Sequence, residues 1–255
     1  METIYLKNCR FVITPEKILE NRDILINNSR IFFNEKDKSD FVIDCTDRII
    51  LPGLINAHTH SPMTLLRGFY DDAELHEWLN RMWSVEAKLN YKIVSLATEL
   101  AIIEMLSNGI TSFVDMYYFP EATAEVCKSY GIRCALGPPL ISPEKEKFSK
   151  ELKAFSRKYA KEELLKPVAN LHAIYTIKDL EGLDEITKGF QLHMHVSETR
   201  KEVYECKKEY GLFPVELLDK YGLLRKNALL VHLGWIKNNE IKFDFFIQYI
   251  SLLFD

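Results

Sequence analysis

From residue 48 onward, apolar runs of strand length alternate with amphipathic segments of helix length. This alternation is typical of repeated βα units and predicts a parallel sheet. The predicted strands cover residues 49–57, 111–115, 133–137, 168–172, 191–195 and 228–232. The predicted helices cover residues 91–108, 121–130, 145–164, 180–188, 201–210, 214–221 and 239 onward. About six βα units indicate an α/β protein with most of a (β/α)8 barrel, whose active site gathers at the carboxyl ends of the strands.

Residues 1–50 follow a different pattern, in which short β-like runs are separated by clusters of Asn, Asp and Lys. The runs cover residues 3–6, 10–14, 23–26, 30–33 and 41–44. Their spacing is typical of a small all-β element. We therefore predict two domains: residues 1–50 form the N-terminal part of a composite β-sandwich, and residues 51–255 form a partial TIM barrel.

The composition is that of a globular protein, since 47% of the 255 residues are hydrophobic, 27% are charged and the net charge is −4. Charges of both signs are scattered along the chain, so nothing resembles a basic stripe that would bind nucleic acid. Five widely spaced cysteines without a CxxC pair favour reduced thiols and a cytoplasmic location. No apolar run reaches the ~18 residues that cross a bilayer, so we expect no membrane association.

Histidines mark the ends of the predicted strands. The seventh histidine, His76, lies outside this pattern. Random scatter does not readily place histidines at the mouths of four strands of one barrel, so the set indicates a functional site. Six of the seven lie at or directly after a predicted strand: His58, His60, His172, His193, His195 and His232.

Three of these histidines form a candidate metal site. Side chains alternate along a strand, so His58 and His60 point the same way. Together with His195 they supply three imidazoles, which suit Zn²⁺ or Fe²⁺ better than Mg²⁺ or Ca²⁺. We predict one divalent metal ion, zinc first and iron as the alternative. Glu198 follows His195 by three residues and is the predicted general acid and base.

Among the remaining strand-end residues, all except His193 have two interpretations. His193 points the same way as His195 but lies one layer deeper, where we expect it to pack. His232 would orient the attacking water and His172 would touch the substrate, or both are hydrogen-bonded core histidines. Asp115 either belongs to the site or caps the turn that follows its strand.

The segment WLNRMWSVEAKLN, residues 78–90, mixes aromatic residues with Glu86 just before a predicted helix. It is either the start of an amphipathic helix or a lid over the site. In the second case Glu86 would accept hydrogen bonds from a diol.

Several motifs together resemble one known family. They read PGLINAHTH, MTLLRG, EWL, WSVEAKLN, LHAIYT, HMHVSET and VHLGW along the chain. These motifs are similar to those of the amidohydrolase superfamily, in the branch of 5′-methylthioadenosine/S-adenosylhomocysteine deaminases and chlorohydrolase-like enzymes. The resemblance implies a metal-dependent hydrolase-type (β/α)8 barrel. It also implies a single metal ion, because no lysine ends the fourth strand to bridge a second one.

The resemblance implies hydrolytic deamination of an adenosine-type purine, methylthioadenosine or S-adenosylhomocysteine, to the inosyl product and ammonia. Guanine or cytosine deamination and dechlorination stay open, as does a non-catalytic remnant that needs a partner chain. The ligand would be a small nucleoside or heterocyclic amine, and homo-oligomerisation is left open. The implied roles are metal ligation by His58, His60 and His195, proton transfer by Glu198, water binding by His232, purine contact by His172 and ribose contact by Glu86.

Two features of the chain depart from the family pattern. Pro138 and Pro139 leave no basic residue after the third strand to meet a homocysteine carboxylate, which favours an uncharged 5′ substituent. Family members also continue with a His-x-Pro-x-Ser-Asn strand and an Asp ligand on an eighth strand, whereas the likeness here is poor after Ile241, and neither Asp244 nor Asp255 stands in the expected context. We therefore expect a truncated or frameshifted reading frame, with exposed strand edges, poor solubility or oligomerisation, and weak metal binding.

Overall fold

The computed structural model describes residues 3–35 and 38–241. The chain divides into two compact units, Met1–Leu54 and Ile55–Asp255. Each unit is built on a sheet of its own.

One five-stranded sheet forms the N-terminal unit. Its strands are β1 (Thr3–Ile13), β2 (Ile18–Asn27), β3 (Arg30–Phe33), β4 (Phe41–Asp44) and β5 (Ile49–Ile50). The order is β3-β2-β1-β4, and β5 also pairs with β1. The predicted runs 3–6 and 10–14 belong to one strand. A register shift between Leu6 and Cys9, with Asn8 at a φ of 58°, carries β1 across the polar residues between them.

Parallel strands form the sheet of the second unit. The strands are β6 (Leu54–Thr59), β7 (Ile110–Asp115), β8 (Arg133–Leu136), β9 (Pro139–Leu140), β10 (Leu165–Leu171), β11 (Gln191–Val196) and β12 (Ala228–His232). Their order is β12-β11-β10-β8-β7-β6, with the short β9 paired to β10. Six of them make a nearly closed barrel, which confirms the predicted α/β fold with an incomplete (β/α)8-type barrel.

Helices connect these strands. They are α1 (Leu75–Glu86), α2 (Tyr91–Ser107), α3 (Pro120–Tyr130), α4 (Lys145–Tyr159), α5 (Ile174–Ile177), α6 (Leu183–Ile186), α7 (Arg200–Tyr210) and α8 (Pro214–Lys220), and a 3-10 helix covers Ser61–Leu66. The predicted helix 180–188 is reduced to the single turn α6, because Gly182 adopts a φ of 74° outside the helical region. Residues 238–241 form a turn where a helix from 239 onward was predicted, and the rest of that segment, 242–255, lies outside the described residues together with Asp244 and Asp255.

Local sequence signals set the helix ends. The Asn90 side chain accepts a hydrogen bond from the N–H of Ile93 at 3.1 Å and starts α2. Helices α3 and α7 end at Gly131 and Gly211, whose left-handed φ angles are 69° and 70°. Such ends turn the chain back toward the next strand. None of the described helices combines the length and apolar character needed to cross a membrane.

Candidate metal centre

Three histidine side chains converge at the carboxyl ends of β6 and β11. The Nε2 atom of His195 lies 3.2 Å from Nε2 of His58 and 3.2 Å from Nε2 of His60. Within residues 3–35 and 38–241, these three side chains form a group whose ligand atoms all lie within 4.8 Å of one another, close enough to share one ion. The strands bring together the three residues that the sequence pattern singled out as ligands.

Hydrogen bonds on the far side of two rings orient them. Nδ1 of His60 lies 2.6 Å from the carbonyl oxygen of Met116, and Nδ1 of His195 lies 2.8 Å from the carbonyl oxygen of His172. A carbonyl only accepts, so both Nδ1 atoms carry the proton. The Nε2 lone pairs of His60 and His195 therefore face the centre, as metal ligation requires.

Burial keeps the three imidazoles neutral. Burial first, and then the neighbouring imidazoles, together lower the pKa of His58 to about 3. Burial also lowers the pKa of His60 and of His195 from their usual values. Neutral imidazole is the form that binds a metal, and three nitrogen donors suit zinc. The chemistry of this donor set fits one divalent ion.

Glu198 lies beside the three histidines. Its Oε1 atom is 3.4 Å from Nε2 of His232, at the end of β12. Burial raises the pKa of the Glu198 carboxyl, while His232 and His60 act in the opposite direction. A carboxyl with a raised pKa can both accept and return a proton near neutral pH. The ring of His232 also stacks on that of His195 at 5.5 Å, so both residues predicted for proton and water handling border the centre.

A buried carboxylate that the sequence analysis did not single out holds the Glu198 segment in place. Glu202, on α7, accepts hydrogen bonds from the N–H of Ser197 at 3.0 Å and from the N–H of Glu198 at 2.9 Å. Ser197 adopts a left-handed φ of 52°. The spacing Thr199-x-x-Glu202 is a capping-box signal that could have drawn attention to this carboxylate.

An aromatic pocket adjoins His60. Glu86 lies at the end of α1, where it accepts a hydrogen bond from the Tyr117 hydroxyl at 2.7 Å. His172 follows β10, and its ring centroid is 5.1 Å from that of His195. The segment 78–90, interpreted from the sequence as either the start of a helix or a lid, contains most of helix α1 and also forms one wall of this pocket. Its lining includes Trp78, Met82, Trp83, Glu86, Tyr117 and His172.

Asp115 holds a different segment from the one expected. Its Oδ1 atom accepts hydrogen bonds from the N–H of Ser61 at 2.6 Å and from the Thr59 hydroxyl at 2.9 Å. The contacts reach across to the end of β6, whereas one of the two sequence interpretations had the carboxylate capping the turn after its own strand. Asp115 thus stabilises the segment that carries His60.

His193 makes two polar contacts in addition to its buried packing. Its Nε2 atom lies 2.8 Å from Nδ1 of His58, and its Nδ1 atom lies 2.9 Å from Oδ1 of Asn170. Neither Asn170 nor Tyr117 was a candidate from the sequence. Tyr117 is the second residue after the end of β7. This position near a strand end was the sequence signal that could have marked it as a candidate.

The chain belongs to the amidohydrolase family, which it matches over residues 49–249. This confirms the family inferred from the motifs. A 5-methylthioadenosine/S-adenosylhomocysteine deaminase from Archaeoglobus fulgidus is 36% identical over 94% of this chain and 58% of its own length. A 5′-deoxyadenosine deaminase from Methanosphaera stadtmanae is 42% identical over 79% of this chain and 50% of its own length.

A solved structure has the same fold. It is an adenosine deaminase from Xanthomonas campestris with bound zinc, 28% identical, with a TM-score of 0.84 over 94% of this chain and 60% of that one. The chain therefore spans little more than half the length of the relatives it matches.

Proposed function

We propose that this chain carries the metal-binding barrel of a hydrolase that deaminates an adenosine-type nucleoside. The observation that carries the proposal is the convergence of the His58, His60 and His195 Nε2 atoms beside the Glu198 carboxyl. The names of the relatives, which deaminate methylthioadenosine, S-adenosylhomocysteine or 5′-deoxyadenosine, support this substrate class.

The three histidines would hold one divalent ion, and zinc is our first choice. When bound, such an ion supplies a Lewis acid that makes water nucleophilic near neutral pH. The zinc named with the Xanthomonas campestris structure is consistent with this choice. Iron stays the alternative, because three imidazoles suit either metal.

Glu198 would move the protons. It would take one proton from the attacking water and pass it to the purine ring nitrogen next to the amino-bearing carbon. It would then take the proton of the new hydroxyl group on that carbon and give it to the amino group, so that the carbon–nitrogen bond breaks, ammonia leaves and the carbonyl of the inosyl product forms. The 3.4 Å contact with His232 would let that imidazole hold the water in line. The raised pKa of the Glu198 carboxyl suits this residue to both proton transfers.

The pocket next to His60 would bind the nucleoside. His172 would contact the purine, and Glu86 would accept hydrogen bonds from the ribose hydroxyls. Among the described residues that line this pocket, none is Lys or Arg, and Pro139 and Ile141 occupy its wall. A homocysteine carboxylate would find no cation there, so we infer a preference for 5′-methylthio or 5′-deoxy substrates.

Metal content and ammonia release test the proposal together. We expect about one zinc or iron per chain by elemental analysis, and ammonia from methylthioadenosine and 5′-deoxyadenosine faster than from S-adenosylhomocysteine. Glu198→Gln should keep the metal and slow ammonia release by roughly 10²- to 10⁴-fold. A chain that binds no divalent metal, or a Glu198→Gln variant as active as the parent, would contradict the proposal.

A further inference from the structure

The three candidate ligands differ in what their Nδ1 atoms contact. His60 and His195 each face a main-chain carbonyl, which can only accept a hydrogen bond. His58 instead faces Nε2 of His193 at 2.8 Å, and an imidazole nitrogen can either donate or accept. The contact with His193 alone therefore leaves open which nitrogen of His58 carries the proton.

Asn170 resolves this ambiguity. Its Nδ2 atom donates to the carbonyl oxygen of Asp115 at 3.0 Å and to that of Gly137 at 2.8 Å. A flipped amide would set its oxygen against two carbonyl oxygens, so the orientation is determined by the main chain. Oδ1 of Asn170 must then face Nδ1 of His193, at 2.9 Å.

The protons can be followed from that point. Oδ1 of Asn170 accepts, so Nδ1 of His193 carries a proton. His193 is 1% exposed, and burial disfavours a charged imidazole, so its Nε2 atom keeps a lone pair. That lone pair accepts from Nδ1 of His58, which leaves Nε2 of His58 free to bind an ion.

We propose that Asn170 is a positioning residue that acts through His193 to hold His58 in the Nδ1–H form, with its Nε2 lone pair turned toward the metal. The inference rests on the proposed metal site. His60 and His195 have their Nδ1–H groups fixed directly by main-chain carbonyls. For His58, the third candidate ligand, the side chains of His193 and Asn170 together have the same effect.

The surroundings are built for this contact. Asn170 is fully buried and is the cross-strand neighbour of His193 in the pairing of β10 with β11. At Gly137 any Cβ atom would lie 2.2 Å from the carbonyl oxygen of Val168, so only glycine allows β8 and β10 to approach this closely. The close approach places the Gly137 carbonyl within reach of the Asn170 amide.

The first test reads the proton position directly. In the metal-free chain with ¹⁵N-labelled histidine, long-range ¹H–¹⁵N spectra assign the tautomer of each ring. We expect His58 and His193 both in the Nδ1–H form, and Asn170→Leu should convert His58 to a mixture of forms. His58 with its proton on Nε2 in the parent chain would overturn the proposal, whether or not any variant folds.

The second test measures zinc affinity by competition with a chelator. Asn170→Leu and His193→Phe should each weaken zinc binding by roughly 10- to 100-fold, the range for outer partners of metal-bound histidines. His193→Gln, whose amide oxygen can accept from Nδ1 of His58, should recover part of the loss. Unchanged affinity in both Asn170→Leu and His193→Phe would also overturn the proposal.

A matched control separates positioning from loss of packing. Thr98 on α2 and Thr123 on α3 form a buried hydroxyl pair, 3.3 Å apart. Thr98→Val should leave both the tautomers and the zinc affinity unchanged. Neither readout needs deaminase turnover, so a chain with the expected tautomers but no ammonia release would contradict the proposed function and leave this inference standing.

Discussion

The segments after β6 and after β11 each depend on one buried carboxylate, but in different surroundings. Asp115 holds the first through Ser61 and Thr59, and Glu202 holds the second through two backbone N–H groups. Among the described strands, β6 pairs with β7 alone, whereas β11 pairs with both β10 and β12. The candidate ligands thus come from one strand at the end of the sheet and one inside it.

Exposure follows the same division. Leu54 and Ile55 on β6 are 59% and 36% exposed, while Leu192, Met194 and Val196 on β11 are at most 2% exposed. A strand paired on both sides is held by its backbone ladders. A strand paired on one side relies more on side-chain contacts such as those of Asp115. Variants on the two sides should therefore differ in which property they change.

Removal of the inner-strand ligand should have the largest effect. His195→Ala takes away the imidazole whose Nε2 lies 3.2 Å from each of the other two. We expect zinc affinity to fall by more than the roughly 100-fold that an outer partner can cost. The zinc retained after dialysis, measured by elemental analysis, reports this loss of affinity. One zinc per chain in His195→Ala would show that His195 is not a ligand.

Glu202→Gln should disturb the Glu198 segment without removing a ligand. The amide nitrogen would face the N–H of Ser197 or of Glu198, and both donors are now satisfied by carboxylate oxygens. We expect ammonia release to fall by up to roughly 100-fold, because small misplacements of a catalytic group are costly. Zinc content should stay unchanged.

Glu240→Gln is the matched control for that variant. Glu240 is also a buried carboxylate that accepts two backbone hydrogen bonds, from Val215 at 3.0 Å and from Lys237 at 2.7 Å. Those contacts join the start of α8 to residues 237–240. Equal loss of turnover in both variants would mean that Glu202 acts through general stability.

Both the barrel and the convergence of the three candidate metal ligands were predictable because they depend on local pattern. Alternation of apolar runs with amphipathic segments predicts βα units, and parallel strands collect their carboxyl ends in one place. The i, i+2 spacing of His58 and His60 then predicts two imidazoles on one side of a strand. Each step uses neighbours in sequence, so no register between strands was needed.

The groups around the ligands were not predictable in the same way. Asn170 meets His193 only because β10 and β11 pair in one particular register, and a one-residue slip would separate them. Likewise Asp115 reaches Ser61 across 54 positions of sequence. Contacts of this kind follow from the packing of the barrel, which the hydrophobic pattern alone does not specify.

The stability of the folded chain should depend on pH through Asp115, the β7 carboxylate that holds the end of β6. Burial raises the pKa of this carboxyl from 3.8 to about 6. The folded chain then holds the proton at pH values where the unfolded chain has lost it, so stability is greatest below pH 3.8 and declines as the pH rises through about 6. A shift of about two units corresponds to about 3 kcal/mol.

Asp115→Asn isolates this contribution, because Asn keeps an oxygen acceptor for Ser61 and Thr59 without the charge. The free energy of unfolding of the parent chain, minus that of the variant, should become less favourable by about 2 kcal/mol between pH 4 and pH 7, which is most of the full effect. Urea unfolding at several pH values measures the difference. A difference that is flat with pH would show that the carboxyl titrates normally.

The smallest effect on stability is expected at an exposed ion pair between the segment after β6 and α2. Arg67 donates to both carboxylate oxygens of Glu104 at 3.0 Å, but the two side chains are 68% and 48% exposed. Water screens such a pair, so Arg67→Ala should change the free energy of unfolding by less than about 1 kcal/mol. Urea unfolding in low and high salt measures this change. A loss well above that value would mean that the segment after β6 depends on its surface contacts as much as on Asp115. A comparison of Asp115 with Glu202 alone would then not account for the difference between the segments after β6 and after β11.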